Sequence, residues 1–460
     1  MKKFFSLTFI IIPIICSISC QKFIEVRPPS NKLSAATVFT TDATALAAVN
    51  GLYAQMSFTI NSFSCAGSAT FLGLYADELA TTLTTSSTLE FESGSLSVTN
   101  GSVYTNFWQS AYQLIYIANS CIAGLQEATI NPSLRTQLLG EAYFIRAYSY
   151  WTLVNLFGDI PLVLTIDDYE NVALMSRTPF DEVINQIVID LSDAKGMLQP
   201  DYPSSGRFRV NYYTAAAMLS RVNTFLGKWD EVLVNSNEVI SNPIYTIEYD
   251  FNKIFLIEST EAIWQTATDQ PFYNSMDGLV FVPSTLITAR PSYTIQSGLF
   301  SAFSEADQRK VNWIRSKTVS GITYLHPYKY KIRQLATKTE CQMMFRLAEI
   351  YLNRAEAKVY LDEDDLTALD DLNVIRKRAG LEDLSGLKGQ SLVEAILQER
   401  RLELFAEWGL RFFDLKRTGK LDAILTPLKP DWKSTAVLFP IPQNERLVAP
   451  NLTQNPGYHN

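Results

Sequence analysis

One helical segment constrains the fold more than any other stretch of the chain. Wound at about 3.6 residues per turn, residues 141–157, EAYFIRAYSYWTLVNLF, are apolar on nearly every face. A helix without a wet side must be buried between other helices. Gly158 is expected to end this helix, and Pro161 prevents its resumption. The segment therefore predicts a layered helical scaffold.

Helical periodicity recurs along the chain and predicts helices at about 42–56, 103–127, 136–157, 179–198, 211–226, 229–241, 340–361, 366–378 and 391–416. Paired helices with short turns, as at residues 227–228, are typical of tetratricopeptide units, although no clean period of about 34 residues is visible. The predicted fold class is therefore mainly α. We expect a degenerate tetratricopeptide-like helical-repeat scaffold with a loop-rich mixed α/β insertion.

Two segments interrupt the helical pattern. Residues 57–102 are rich in Ser, Thr and Gly and are expected to form loops or short strands. Within residues 242–335 we expect short strands at 263–266 and 279–282, and a hairpin that turns at 320–321 and pairs 311–314 with 322–325. Long loops carried on a rigid scaffold are where binding usually occurs.

The N-terminus predicts export. Two lysines precede an apolar run at residues 4–15, which is too short to span a bilayer, since that takes about 20 residues. We interpret residues 1–19 as a signal peptide and predict lipidation at Cys20, which follows a small residue as in a loose bacterial lipobox. The alternative is ordinary cleavage that leaves a free cysteine. Residues 20–41 would form the lipid anchor and tether.

Charge and rare residue types narrow the function classes. The net charge of −8 argues against nucleic acid as a partner and suits a neutral ligand. Cys65, Cys121 and Cys341 are far apart and odd in number, so they fit neither a zinc spacing nor a complete disulfide framework, and we expect buried free thiols. The two histidines, His326 and His459, form no His-x-x-x-His pair. No metal or cofactor is predicted.

The last long helix carries a ladder of carboxylates. Glu399, Glu403 and Glu407 lie one turn apart, opposite the apolar face of residues 391–416. A hydrolase needs two carboxylates in different environments so that their pKa values separate, whereas a regular ladder on a wet face holds them in similar ones. We therefore expect ion pairs rather than catalysis, including Glu407 with Arg411 four residues later.

Several stretches, spread over nearly the whole mature chain, are similar in sequence to the motifs of one known family. They include ALAAVNGLY at 45–53, EAYFIRAYSYWTLVNLFGDIPL at 141–162, RLAEIYLNRAEA at 346–357, LNVIRKRAG at 372–380, ERRLELFAEWGLRFFDLKRTG at 399–419 and QNPGY at 454–458. Together they resemble the SusD/RagB family, the surface nutrient-binding lipoproteins of the Bacteroidetes.

The resemblance implies a lipid-anchored lid over a SusC-type TonB-dependent transporter. The lid would capture an oligosaccharide or polysaccharide and deliver it without covalent chemistry, on the outer face of the outer membrane. A peptide-binding SusD/RagB homologue, a surface glycoside hydrolase and a helical-repeat adaptor that binds only protein remain alternatives. Residues 42–460 would form a single domain, with a helical scaffold at 42–56, 103–241 and 340–419 and a variable ligand-binding subdomain at 57–102 and 242–335.

Aromatic residues make up 12% of the chain and supply the candidate contacts. Apolar sugar faces stack on flat rings, while hydroxyl groups need polar side chains at the ring edge. Scaffold rings such as Trp151 and Trp408 are expected in the core. In the family, contacts tend to come from the two loop-rich segments, so the predicted ligand-binding residues are Tyr75, Asp77, Phe91, Tyr273, Arg290, Tyr293 and Trp313.

Overall fold

The computed structural model of this chain describes residues 38–166, 171–268 and 270–459. The predicted signal peptide, the lipidation site Cys20 and most of the tether lie outside the described residues. Within those ranges the chain forms seventeen α-helices and six short strands, which confirms the predicted mainly α class. No helix in the described ranges is both long and apolar enough to cross a bilayer.

The helices follow one another in this order: α1 (Asp42–Phe58), α2 (Gly73–Tyr75), α3 (Ser86–Ser93), α4 (Ser110–Gln126), α5 (Pro132–Phe157), α6 (Phe180–Met197), α7 (Tyr212–Leu226), α8 (Trp229–Ile240), α9 (Met276–Phe281), α10 (Ser297–Phe300), α11 (Gln308–Asn312), α12 (Leu347–Leu361), α13 (Thr367–Arg378), α14 (Gly389–Glu403), α15 (Leu410–Arg417), α16 (Leu421–Leu425) and α17 (Gln443–Val448). π-Helical turns lead into α2 and α4, at Ser68–Leu72 and Val103–Gln109.

Helix α5 is the centre of the scaffold. The Asn131 side chain accepts hydrogen bonds from the backbone N–H groups of Ser133 and Leu134 and so caps the first turn. Every residue from Phe144 to the end of the helix is buried, because α4 packs on one side and α6 on the other. Gly158 ends the helix with φ +70°, as predicted.

Successive helices pack as neighbours, which is the tetratricopeptide-like feature of the fold. Gly227, at φ +66°, closes the turn between α7 and α8. Helix α8 also packs against α12, and α12 against α13. The scaffold is thus a row of helix pairs, as the sequence predicts.

Six strands pair into three two-stranded antiparallel sheets, β1 with β3, β2 with β6 and β4 with β5. Their bounds are β1 (Leu79–Thr81), β2 (Ala262–Thr266), β3 (Tyr293–Ile295), β4 (Ile314–Val319), β5 (Ile322–Pro327) and β6 (Gln342–Arg346). The hairpin β4–β5 and its turn at residues 320–321 are as predicted, but the first strand is wrong: residues 311 and 312 belong to helix α11, and residues 322–325 pair with 316–319. The pair β1–β3 joins the two loop-rich segments, while β2–β6 joins the insertion to the scaffold.

Three further predicted elements are wrong. Residues 342–346 form strand β6 rather than the start of a helix, because a fully buried apolar run fits either structure. Residues 279–282 belong mostly to helix α9, which the Ser275 side chain caps by accepting the N–H of Gly278 at 2.9 Å. Residues 57–102, expected as loops or strands, contain two short α-helices and a π-helical turn besides β1.

The predicted helix at 391–416 is broken between α14 and α15. Ala406, Trp408 and Gly409 adopt positive φ values of +53°, +54° and +68°. A side chain at Gly409 would collide with Leu72, so this close approach requires glycine. The break separates α15 from α14.

One large hydrophobic cluster runs through both scaffold and insertion. It contains Trp151 and Trp408, as expected, and also Trp264 and Trp313 from the insertion. Cys65, Cys121 and Cys341 are buried free thiols, which confirms that prediction. The single-domain boundaries at 42–460 stay a prediction.

Candidate binding site

Most of the predicted ligand-binding rings lie in the interior. Tyr75, Phe91 and Trp313 are fully buried, and Tyr293 is nearly so. The Tyr75 hydroxyl donates to the Ala436 carbonyl at 2.8 Å, and its ring packs against other rings, namely Phe91, Phe412, Trp432 and Phe439. The expectation that these four rings face a ligand is therefore wrong, because the loop-rich segments that carry them fold back onto the scaffold.

Asp77 is also taken up by the protein. It is buried, and its carboxylate pairs with Arg411 at 2.7 Å and with Arg401 at 2.8 Å. Burial alone would raise the pKa of Asp77, but the hydrogen bonds and charges of Arg411 and Arg401 outweigh it and hold the pKa below its ordinary value. The prediction that Asp77 meets a ligand is wrong, since both of its oxygens serve the fold.

Two predicted site residues remain accessible. Arg290 is exposed just before β3, and Tyr273 is half-buried just before α9. The Tyr273 ring packs against a small cluster around Cys65 and Met276, which also includes Ile60. Their role in binding stays a prediction.

The carboxylate ladder is buried rather than exposed to solvent. Glu399, Glu403 and Glu407 are all buried, and the first two lie within α14. Glu407 pairs with Arg346 at 2.8 Å and with Lys329, and Arg411 pairs with Asp77 instead. The prediction of ion pairs is confirmed, but the wet face and the Glu407–Arg411 pair are wrong.

Glu403 is the centre of this network, which we call the ionic cluster: Glu261, Arg309, Arg346, Arg378, Glu399, Glu403 and Glu407. Burial alone would raise the pKa of Glu403, but Arg378, Arg346 and Arg309 surround it and hold that pKa far below its ordinary value. Each carboxylate of the cluster thus has an arginine partner. This is an arrangement for structure, because a catalytic acid needs a raised pKa.

An open groove beside α4 offers the surface that the buried rings do not. It has a volume of about 700 Å³. We call it the aromatic groove, and its lining residues are Gln55, Phe58, Thr59, Tyr104, Thr105, Trp108, Gln109, Ser110, Tyr112, Gln113, Tyr116, Ile117 and Glu445. Its size lies in the range of ordinary ligand pockets, about 300–1,000 Å³.

Two helices present the accessible rings of the groove. Phe58 ends α1 and is 68% exposed, and Tyr116 on α4 is 49% exposed. Gln109, Gln113 and Tyr116 follow one another at helical spacing, so they share the outer face of that helix. Two amide groups and one aromatic ring therefore line the same wall of the groove.

The floor of the groove is fixed by internal hydrogen bonds. The Tyr112 hydroxyl donates to the Pro161 carbonyl at 2.8 Å, and the ring centroids of Trp108 and Tyr112 lie 5.1 Å apart. The Glu445 carboxylate accepts hydrogen bonds from the side chains of Trp108 and Tyr104. Burial raises the pKa of Glu445, and these two hydrogen bonds only partly oppose that rise.

This arrangement suits a ligand that has apolar faces and hydroxyl edges. Exposed rings stack on apolar faces, and amide groups both donate to and accept from hydroxyls. Sequence reasoning missed Phe58, Tyr104, Tyr116 and Glu445. The available signal was the stripe at residues 109, 113 and 116, where a tyrosine lies among glutamines on the polar side of a predicted helix.

Two family models match the chain. The SusD family model matches residues 263–458, and a model described as starch-binding, associating with outer membrane, matches residues 22–224. Neither reaches half of the chain alone, but they fall on its two halves.

Full-length relatives and solved structures agree with those matches. SusD-like protein P2 of Formosa agariphila is 27% identical, and the alignment covers 100% of both chains. A SusD superfamily protein of Bacteroides vulgatus superimposes with a TM-score of 0.79 at 21% identity, over 91% of this chain and 99% of the other. Surface glycan-binding protein A of Bacteroides thetaiotaomicron, solved in complex with laminarihexaose, gives a TM-score of 0.76 at 20% identity, over 90% and 100%. At these identities the two structures establish a shared fold.

Proposed function

We propose, from the matches to the SusD family models and to SusD-like relatives, that this chain is a SusD-like protein that captures a glycan at the cell surface in the aromatic groove. The observation that carries the proposal is the combination of two exposed rings, Phe58 and Tyr116, with three glutamines in one groove. Sugar rings would stack on the aromatic faces, and Gln55, Gln109 and Gln113 would bond their hydroxyls. A solved neighbour that holds a laminari-oligosaccharide supports this ligand class.

We further propose that the protein is the lid of a SusC-type TonB-dependent transporter. Lipidation at Cys20 would hold it at the outer face of the outer membrane, and the tether would let the lid open and close. The family model that names outer-membrane association supports this location.

The proposed role is binding without cleavage. The buried ladder carboxylates Glu399, Glu403 and Glu407 are committed to arginine and lysine partners. The one groove carboxylate, Glu445, is held by Trp108 and Tyr104. Hydrolysis of a glycoside by this chain would overturn the proposal.

The test is calorimetric titration of the mature chain with a panel of oligosaccharides. Phe58→Ala and Tyr116→Ala should each weaken the best ligand by roughly three- to tenfold, which is the usual contribution of one aromatic contact. Tyr249→Ala is the matched control, because that ring is 62% exposed but lies outside the groove. It should leave the affinity unchanged.

A second pair of variants tests the residues predicted from the sequence. Tyr273→Ala and Arg290→Ala change the two accessible members of that set. If these variants abolish binding while the groove variants do not, the glycan binds at the insertion and the groove is the wrong site. Products of cleavage are sought in the same samples.

A further inference from the structure

The only formal charge among the described residues that line the aromatic groove is negative. Among the described residues that line it, Glu445 is the only charged side chain, and no lysine or arginine is present. The other polar groups are amides and hydroxyls, which are neutral at every physiological pH. Any charge on a bound ligand therefore meets one carboxylate and no cation.

Glu445 has a defined position in the groove. It lies in the first turns of α17 and is half-buried. The hydroxyl of Tyr104 and the indole N–H of Trp108 both donate to its carboxylate, and Trp108 itself is 2% exposed. The Glu445 carboxylate is therefore directed toward Trp108 and Tyr104, two residues that also line the groove.

The sequence neighbour of Glu445, Arg446, does not line the groove. The Arg446 guanidinium donates from Nε to the Leu452 carbonyl at 2.9 Å. Sites that recognise carboxylate or sulfate groups in proteins present arginine or lysine to them. The aromatic groove has the opposite chemistry.

From this charge distribution we infer that the groove selects neutral glycans and rejects uronate-containing or sulfated ones. The inference rests on the proposed function, because it names the ligand class of the same site. A carboxylate on the sugar would lie near Glu445 without a cation to offset the repulsion, and like charges at close range oppose binding strongly in a partly desolvated site. Neutral hexose chains lose nothing to this repulsion.

The test uses two ligands that differ only in charge. The neutral oligosaccharide that binds best in the calorimetric panel is compared with the same oligosaccharide oxidised at C6 to the uronate, so that linkage and length are kept. The oxidised form should bind at least roughly tenfold more weakly at low ionic strength, and added salt should narrow the difference because it screens the repulsion.

Glu445→Gln identifies the source of the discrimination. The amide keeps an acceptor for Trp108 and Tyr104 but removes the charge. In this variant the oxidised oligosaccharide should gain roughly tenfold in affinity, while the neutral one changes by less than about threefold. The matched control is Glu127→Gln, which removes an exposed carboxylate just after α4 and outside the aromatic groove. It should leave both affinities unchanged.

The outcomes separate the two proposals. If the uronate form binds the wild-type protein as tightly as the neutral form, or if Glu445→Gln leaves the preference unchanged, the inference about charge is wrong and glycan capture stands. If no saccharide of either charge binds, the proposed function fails and this inference falls with it. Thermal unfolding of each variant shows that the affinities refer to folded protein.

Discussion

The ionic cluster and the aromatic groove use the residue types that suggest binding, but they use them in opposite ways. In the cluster, Glu403 and Arg346 are buried and every carboxylate has a cationic partner. In the groove, Phe58 is 68% exposed and Tyr116 is 49% exposed. The difference teaches that charged and aromatic side chains indicate a binding site only where the protein does not already use them in ion pairs or in its core.

The cluster also explains how the insertion is held. Its members come from the insertion (Glu261 and Arg309), from β6 (Arg346), from α13 (Arg378) and from α14 (Glu403). A network of this kind joins segments that are distant in sequence, and each charge depends on the others for compensation. The aromatic groove contains no such network, because Glu445 is its only charged lining residue among those described.

The largest expected effect is on the cluster. Glu403→Gln should lower the free energy of unfolding by about 3–5 kcal/mol, because three arginines lose their common partner inside the protein. Denaturant titration measures the change. Glu305→Gln is the control, since Glu305 pairs with Lys310 at the surface with its side chain 95% exposed, and it should change little. A similar loss in both variants would mean that the cluster is no more important than a surface ion pair.

Low pH should remove the contribution of the ionic cluster to the free energy of unfolding, whereas the aromatic rings of the groove do not titrate in that range. The pKa values of Glu403 and Glu407 are lower in the folded than in the unfolded chain, because the surrounding cations outweigh the cost of burial. Their stabilisation is therefore present above the ordinary pKa of glutamate and is lost as the pH falls through the folded-state values. We expect the free energy of unfolding to fall progressively as the pH drops below about 5.

Denaturant titrations at several pH values check this slope. In Glu403→Gln the slope should be shallower, since one of the depressed carboxylates is gone. A slope equal to that of the wild-type protein would show that other carboxylates cause the loss of stability at low pH.

A third buried carboxylate should behave in the opposite way. Burial and the neighbouring Asp77 raise the pKa of Glu78 to about 8, and only the N–H of Ala406 is hydrogen-bonded to its side chain, at 3.3 Å. A raised pKa means that Glu78 favours folding when protonated and that this stability is lost as the pH rises toward 8. Glu78→Gln should therefore stabilise the protein by roughly 1–3 kcal/mol at about pH 8 and have little effect at about pH 4. Destabilisation at both pH values would indicate that the glutamate is paired.

The sequence predicts the scaffold well because helix periodicity and glycine turns are local signals. Helix α5 and the turn at Gly227 follow directly from them. The break after Glu403 could not be read in the same way, since Ala406 and Trp408 adopt positive φ only because packing requires it.

The site was harder to predict for a related reason. A loop-rich segment suggests exposure, yet Tyr75 and Trp313 enter the core, where the same segments also bury other large rings such as Phe91 and Trp264. Conversely, the sequence around Phe58 shows only an apolar residue at the end of a helix. Its exposure depends on how α4 packs beside α1. Exposure is a property of tertiary packing, which the residue pattern of one helix does not contain.

The smallest expected effect on stability is in the groove, and it completes the comparison. Phe58→Ala should change the free energy of unfolding by less than about 0.5 kcal/mol, because a ring that is 68% exposed buries little surface on folding. Phe91→Ala, which removes a fully buried ring, should cost about 3–5 kcal/mol in the same denaturant titration. If Phe58→Ala costs more than about 1 kcal/mol, the ring is packed as part of the fold. In that case the groove residues stabilise the fold, as the ionic cluster does, and the contrast between the two regions disappears.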